Sequence, residues 1–348
     1  MSLREVSIIK KNYWPTADSQ TLEQATSGID TERLSDLESI ITTQYSNING
    51  IVVVRNGCIA YEEYYNGFGV KGTHHVTSVT KSILSALIGI AIDQGYINHV
   101  HQKVLDFFPE YVPESTNSQK QEITVRHLLT MTAPYPFEDW REPLDVMCMQ
   151  SDWVKYILDI LGEQGSIGAF KYSTAGTHLL SAIITRTTGK SARQFANEYL
   201  FNPIGMKEIP SYNMNSFGFD DLFGKDVRGW VEDPSRNSTG GFGLTLNPRD
   251  MARFGCLYLN RGMWDNNQII SESWIDESTT LTPNNYGYLW WLREEDGIYA
   301  YSAIGDGGNV ICCIPKKGLV IAIASQFIVN ARDRWALIKE SIIPALMD

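Results

Sequence analysis

The sequence predicts an α+β fold, an α/β sandwich in which helices flank one antiparallel sheet built from both ends of the chain. Two observations support this class. Strand patterns occur near the N-terminus and again near the C-terminus, and helix patterns dominate the long region between them. A hairpin alone has too few strands to be stable. We therefore expect the N-terminal strands to pair with the C-terminal ones, around an inserted all-helical domain.

The first predicted elements are a helix and a hairpin. Residues 30–42 should form an amphipathic helix, because their apolar side chains recur at helical spacing. Residues 50–55 and 58–65 have the composition of strands, and Asn56-Gly57 between them is typical of a two-residue hairpin turn. The sheet should thus begin with two antiparallel neighbours.

The helix predicted from Ser78 to Gln94 is distinguished by its polar residues. It is apolar on nearly every side, as buried helices are, and Gly95 provides a stop. One polar stripe nevertheless runs along it, formed by the residues at i, i+3, i+4 and i+7, which are Ser78, Lys81, Ser82 and Ser85. A lysine on a buried helix requires a reason.

The rest of the chain completes the predicted sandwich. Helix patterns cover 123–131, 152–161, 174–188, 191–201 and 247–262, strand patterns cover 287–292, 298–303, 310–314 and 319–325, and a last amphipathic helix covers 331–346. Two loops rich in aromatic residues, 134–143 and 205–243, either wall a binding site or pack on the core.

The order of these patterns predicts two domains. Residues 1–95 and 240–348 should form the α/β domain with the antiparallel sheet, and residues 96–239 the mainly helical inserted domain. We expect the active site in the cleft between the two domains.

Composition limits the classes of partner. The formal net charge is −11, which argues against nucleic acid and against attraction to anionic membranes. Every apolar run is too short for a membrane span, and no leader pattern begins the chain. Five cysteines, an odd number, do not form a disulfide framework. We expect a cytoplasmic location, or a periplasmic or secreted one if a leader has been removed. The oligomeric state stays open.

Ser78 and Lys81 have the spacing that nucleophilic catalysis needs. A serine hydroxyl is a poor nucleophile until a base removes its proton. Burial lowers the pKa of a lysine and so makes its amine available as that base, and a helix N-terminus favours an oxyanion. The alternative is a helix-capping serine with a lysine that snorkels to solvent. A second Ser-x-x-Lys, at residues 7–10, lacks a buried helix after it and is interpreted as chance.

Two further segments could contribute to a site. Tyr172, just before a predicted helix, could direct its hydroxyl along the groove between the domains, or it could simply pack the helix start. Residues 305–309 precede a strand, where glycines would let a substrate lie close to the backbone, or they could form only a turn. No metal-binding motif is present, and the glycines at 67, 69 and 72 lack the strand–helix context of a dinucleotide site. We expect no metal and no cofactor.

Together these segments resemble the serine β-lactamase and penicillin-binding-protein superfamily, in the branch of class C-type β-lactamases, DD-peptidases, carboxylesterases and nylon-oligomer hydrolases. The matching stretches are Thr77–Ser82, Ile123–Thr130, Phe170–Ser173, Gly240–Leu244 and Arg249–Ala252, in the family's order. The resemblance implies the two-domain fold described above. It also makes Ser78 the acylated nucleophile, Lys81 its base and Tyr172 a proton-transfer residue.

The sequence departs from the family pattern at two motifs. The third position of the Y-x-N motif, usually Asn, is Thr174. The Lys-Thr-Gly motif of the sheet-edge strand is missing, and we assign its place to Asp306, Gly307 and Gly308, with a register one residue earlier as the alternative. Together with Asn309, these residues are predicted to bind the substrate and the oxyanion.

These observations predict a serine hydrolase that acts through an acyl-enzyme on a small ester or amide. A β-lactamase or DD-peptidase is the second expectation. A non-catalytic β-lactam-binding or sensor protein, acylated once without turnover, is the alternative from another class. Because Asp306 would repel a substrate carboxylate, we expect neutral or cationic small molecules as substrates.

Overall fold

The chain folds around one antiparallel sheet that contains strands from both of its ends. The computed structural model describes residues 28–30, 32–113, 118–137, 143–213 and 227–347. The second Ser-x-x-Lys segment and parts of both aromatic loops, residues 138–142 and 214–226, lie outside the described residues. The described part confirms the predicted α+β class, with helices on both sides of the sheet.

Six strands, β1 to β6, form the main sheet: Ile48–Arg55, Cys58–Tyr64, Trp291–Glu295, Ile298–Gly305, Asn309–Ile314 and Leu319–Ser325. Their spatial order is β2-β1-β6-β5-β4-β3, and all neighbours are antiparallel. The N-terminal hairpin therefore joins the C-terminal strands through β1 and β6, with Val52 opposite Ala322. The turn of this hairpin has positive φ at Asn56 and Gly57, as the sequence predicted.

Ten α-helices, α1 to α10, occur in the described residues: Leu37–Gln44, Val79–Asp93, Val125–Leu129, Pro143–Cys148, Trp153–Ile160, Thr174–Thr188, Ala192–Ala196, Pro248–Leu259, Glu272–Thr279 and Arg334–Leu337. Helix α7 continues as one π-helical turn to Phe201, and α10 continues in π and 3₁₀ turns to Ala345. The described residues also contain three two-residue ladders: His74–His75 with Thr245–Leu246, Ser211–Tyr212 with Trp230–Val231, and Met263–Trp264 with Asn267–Gln268.

Both faces of the sheet are buried. On β1, Val52 and Val54 belong to the core that contains α2 and α8, whereas Ile51 and Val53 belong to a second core beneath α1 and the C-terminal helix. A strand buried on both sides is apolar throughout rather than alternating. Gly255 allows α8 to lie directly on the sheet, because a Cβ atom there would be 2.5 Å from a methyl carbon of Val320.

Two predicted elements differ in extent. The helix expected at 30–42 begins only at Leu37, because residues 32–36 form turns and Asp30 instead accepts the N–H groups of the next residues. The strand expected at 287–292 is displaced to Trp291–Glu295. Leu289 has a φ of +61° in a tight turn there, which a regular strand cannot contain. Helices α4 and α9 were not predicted.

The segment between Gly95 and Gly240 contains helices α3 to α7. Its described residues contribute no strand to the main sheet. The exact domain boundaries, 95/96 and 239/240, stay predictions. No helix in the described segments is both long and apolar enough to cross a bilayer.

The two histidines of the short strand before α2, His74 and His75, lead to a prediction about stability in acid. Burial lowers the pKa of His74 to about 4 and that of His75 to about 3. Both values lie below that of an unfolded histidine, so the unfolded chain binds more protons as the pH falls below about 6.5. The free energy of unfolding should therefore fall between pH 6.5 and 5, by up to about 1.4 kcal/mol per pH unit for each histidine.

Urea unfolding of the wild type and of a His74→Gln, His75→Gln double variant measures this effect. The double variant should show a flatter dependence on pH. A His99→Gln, His101→Gln variant serves as the control because both side chains are exposed, and its pH dependence should match the wild type. Equal slopes in all three proteins would contradict the assignment.

Candidate active site

Ser78 lies at the junction of a strained residue and a buried helix. It is the N-cap of α2, and it is partly exposed although the helix behind it is buried. Thr77 before it has a φ of +49°, an unfavourable conformation for a β-branched residue. The Thr77 hydroxyl contacts the carbonyl oxygens of Val76 (2.8 Å) and Asp306 (3.1 Å). The fold thus presents the Ser78 hydroxyl to solvent from a rigid base.

Lys81 points toward Ser78 from one helical turn away. Its side chain is buried, with 1% exposed. The Nζ atom lies 3.0 Å from Ser78 Oγ, 2.9 Å from Thr174 Oγ1 and 3.0 Å from the carbonyl oxygen of Gly241. The amine therefore contacts the predicted nucleophile and does not extend to solvent, so the snorkelling alternative is wrong.

Thr174 shows how the departure from the Y-x-N motif is accommodated. It is the first residue of α6, and Ser173 caps that helix by accepting the N–H of Gly176 at 3.1 Å. The cap fixes the helix start so that the Thr174 hydroxyl meets the lysine. Threonine in place of asparagine thus keeps a polar oxygen next to Lys81.

Gly241 is a site residue that the sequence analysis missed as such. A Cβ atom at this position would lie 2.5 Å from Thr174 Cγ2 and 3.0 Å from Lys81 Nζ, so only glycine lets the chain pass. The only sequence signal was the pair of glycines in a stretch that resembles the family. The role of Gly241 is to bring a carbonyl oxygen to the lysine.

Tyr172 packs beside Lys81 in an aromatic cluster. The lysine Nζ lies 4.9 Å from the centre of the Tyr172 ring. The ring is stacked on Trp291, with centroids 5.7 Å apart, and meets Tyr286 edge-on at 6.1 Å. Phe170 contacts the same two residues. We call Phe170, Tyr172, Tyr286 and Trp291 the aromatic wall. The proton-transfer role of Tyr172 stays a prediction.

Gly305, at the end of β4, lies beside the predicted nucleophile. A Cβ atom there would lie 2.2 Å from Thr77 Oγ1 and 3.1 Å from the backbone nitrogen of Ser78. Asp306, Gly307 and Gly308 form the turn after this strand. The first register that we assigned to the Lys-Thr-Gly position therefore lies in a turn, whereas the register one residue earlier begins at Gly305, beside Ser78. The assignment of this position stays a prediction. The two residues of β4 before Gly305 are Ala303 and Ile304, which carry neither a cation nor a hydroxyl.

Asp306 and Asn309, at the two ends of the turn, differ in their exposure to solvent. The Asp306 side chain is exposed. Asn309 is fully buried, and its Nδ2 donates to the carbonyl oxygens of Asp306 (3.1 Å) and His75 (3.4 Å), while its Oδ1 accepts the N–H of Ser325 at 2.9 Å. Asn309 thus supports the turn from inside, and its predicted contact with substrate stays a prediction.

The described residues contain neither a cluster of metal-binding side chains nor a disulfide bond. Among the described residues, no three His, Cys, Asp or Glu side chains are grouped to hold a metal ion. All five cysteines are unpaired. What the site offers chemically is the hydroxyl of Ser78, the amine of Lys81 and the phenol of Tyr172.

A family model described as Beta-lactamase matches residues 42–339. The chain is 24% identical over 343 residues to a 6-aminohexanoate-dimer hydrolase of Paenarthrobacter ureafaciens, covering 89% of this chain and 80% of that protein.

Two solved structures share the fold at low sequence identity. A penicillin-binding protein from Bacillus halodurans superposes with a TM-score of 0.65 at 19% identity, covering 87% of this chain and 98% of the other. A family VIII carboxylesterase gives a TM-score of 0.64 at 20% identity, covering 91% and 97%. Because the family model spans most of the sequence, the chain belongs to the beta-lactamase family.

Proposed function

We propose that this protein is a serine hydrolase that acts through an acyl-enzyme on a small ester or amide. The observation that carries the proposal is the buried amine of Lys81 at 3.0 Å from the Ser78 hydroxyl. A base within hydrogen-bond reach is what a serine needs to become a nucleophile. The relatives named as a 6-aminohexanoate-dimer hydrolase and a carboxylesterase support a hydrolase of this class.

The first step forms the acyl-enzyme. Burial disfavours a charged amine, so Lys81 can accept the hydroxyl proton while Ser78 Oγ bonds to the substrate carbonyl carbon. The carbonyl oxygen becomes an oxyanion. It accepts hydrogen bonds from the backbone N–H groups of Ser78, at the start of α2, and of Asp306, which follows Gly305 at the end of β4.

The second step releases the products. The bond from the carbonyl carbon to the leaving group breaks, and Tyr172 passes a proton from Lys81 to the departing oxygen or nitrogen. Water then attacks the acyl carbon and gives one proton back through Lys81 to Ser78, which leaves as the free hydroxyl. The net reaction adds one water across the ester or amide bond.

The residues around Ser78 and Lys81 determine which substrates the proposed site prefers. The aromatic wall offers an apolar, π-rich surface beside Tyr172. Ala303 and Ile304, which precede Gly305 on β4, offer no cation and no hydroxyl for a carboxylate, and Asp306 adds a negative charge. Neutral esters, or amides that carry a cation, therefore fit better than penicillins or peptide C-termini. A β-lactamase or DD-peptidase is the second candidate.

The central test is covalent labelling of Ser78. An organophosphonate should modify Ser78 alone, and Ser78→Ala should lose the label and nearly all esterase activity. Ser82→Ala is the matched control, because Ser82 lies on the same polar stripe but donates to the carbonyl of Leu289. Peptide mapping by mass spectrometry identifies the labelled residue, and a label elsewhere would refute the mechanism.

The time course of ester hydrolysis by the wild-type protein distinguishes an enzyme from a β-lactam sensor. A hydrolase should give a burst of product followed by sustained turnover of a nitrophenyl ester. A sensor would stop after one equivalent, and that result would favour the non-catalytic alternative.

Lys81→Arg tests the identity of the base. A guanidinium cannot lose its proton near neutral pH, so the acylation rate should fall by about 10²- to 10⁴-fold. Stopped-flow measurement of the burst rate reports this step directly, and circular dichroism verifies the fold. If the variant acylates at the wild-type rate, the base is another group, and Tyr172 is the first to consider.

Asp306→Asn tests the electrostatic argument. Removing a like charge worth about 1–2 kcal/mol should improve kcat/KM for a chromogenic cephalosporin about five- to thirty-fold. Activity on a neutral nitrophenyl ester should change little. Asp265→Asn, an exposed aspartate in another turn, controls for the change in net charge. Asp306 does not determine substrate preference if the ratio of the two kcat/KM values is the same in Asp306→Asn and in the wild type. The same conclusion follows if the wild type already prefers the cephalosporin.

A further inference from the structure

The turn from Asp306 to Gly308 is held from behind by a buried arginine. Arg334 Nε lies 3.2 Å from the carbonyl oxygen of Gly308, and its Nη2 lies 3.4 Å from that of Gly307. Both glycines have positive φ, +80° and +90°. A Cβ atom on Gly308 would be 2.4 Å from Arg334 Nη2, so the guanidinium packs directly against the backbone of the turn.

Two neutral side chains complete this support. Asn47 Nδ2 donates to the Gly307 carbonyl at 2.6 Å, and its Oδ1 accepts from Arg334 Nη2 at 2.8 Å. Ser325 Oγ donates to the Gly308 carbonyl at 3.0 Å and also lies 3.2 Å from Arg334 Nη2. Arg334 is thus the centre of a network whose members all contact the turn.

The charge of Arg334 is unusual for its location. The side chain is 2% exposed and makes no salt bridge within the described residues. Burial lowers the pKa of its guanidinium to about 10, so it stays protonated at neutral pH. The Tyr45 ring, whose centre lies 5.1 Å from the guanidinium carbon, and the charge of Asp333 favour the cation without forming an ion pair. A buried cation without an ion pair is still costly, and an apolar side chain of similar size would usually stabilise a core better. This suggests a role beyond packing.

The front of the same turn faces the catalytic serine. The Asp306 carbonyl accepts from the Thr77 hydroxyl at 3.1 Å, and Thr77 immediately precedes Ser78. A rigid connection therefore runs from Arg334, through the backbone of the turn, to the residue whose N–H would face the oxyanion. Oxyanion donors are effective only when they are held in place before the reaction.

We propose that Arg334 is a positioning residue for the oxyanion site, which it stabilises by holding the carbonyls of Gly307 and Gly308. The proposal rests on the function proposed above. Displacing a donor by about 1 Å costs roughly 10²-fold in rate, so loss of the guanidinium should act on the chemical step more than on substrate binding.

The test compares Arg334→Met and Arg334→Lys with Arg332→Met. Arg332 lines the same cavity of about 500 Å³ but is exposed, and its side chain donates to Gln44 Oε1 and not to the carbonyls of the turn, so it controls for loss of charge. Active-site titration with a phosphonate counts competent molecules, and kcat is expressed per titrated site. We expect kcat to fall about 10- to 100-fold in Arg334→Met, less in Arg334→Lys, and KM to stay nearly constant.

A merely structural arginine would give a different result. It would reduce the number of titratable sites and the melting temperature, while kcat per site stayed at the wild-type value, and that outcome would overturn the proposal. An equal loss of kcat in Arg332→Met would overturn it as well. If Arg334→Met does not fold, Ser325→Ala removes another donor to the Gly308 carbonyl and should lower kcat per site in the same way; no loss would refute the role of the network.

Chemical rescue provides a second readout. The cavity opens onto Arg334, so methylguanidinium should restore part of kcat in Arg334→Ala at concentrations that leave the wild type unchanged. Absence of rescue in a folded variant would count against the proposal. Failure of the proposed function is a separate outcome, because the wild type would then not be labelled at Ser78.

Discussion

The contact on which the site depends is that of one buried amine with three oxygens. Lys81 lies on α2, Thr174 begins α6, and Gly241 belongs to a loop that returns toward the sheet. Three segments far apart in the chain therefore meet at a single nitrogen. Because an unpaired polar group in a core is costly, this contact constrains all three segments together. The geometry of the Ser78 hydroxyl is thus set by tertiary packing as much as by its own helix.

The sequence predicted those parts of the site that are local. Helical spacing brings Ser78 and Lys81 together whatever the rest of the chain does, and the hairpin at Asn56-Gly57 needs only its own turn chemistry. Contacts between distant segments were beyond this kind of reasoning. The carbonyl of Gly241, the partners Tyr286 and Trp291 of the aromatic wall, and the buried Arg334 carry no local pattern that identifies them.

The place of the missing Lys-Thr-Gly motif shows why register is the weakest part of such a prediction. Residues 305–309 contain three glycines, and a glycine-rich segment fits a strand edge and a turn equally well. What decides is the pairing of Gly305 with Asn309, which closes the hairpin between β4 and β5. The close approach of Gly305 to Thr77 then fixes which residue lies beside the serine. Only tertiary structure distinguishes these alternatives.

The pairing of β1 with β6 has a consequence for how the molecule is made. Helix α2, which begins at the proposed nucleophile, leaves the ribosome early, but a central strand of the sheet, β6, is among the last segments to be synthesised. A nascent chain must keep the apolar faces of β1 and α2 from wrong partners until β6 arrives. Folding dominated by such sequence-distant contacts is slow and exposed to aggregation. A chain that stops before β6 would possess the whole Ser-x-x-Lys helix and still lack the sheet that supports it.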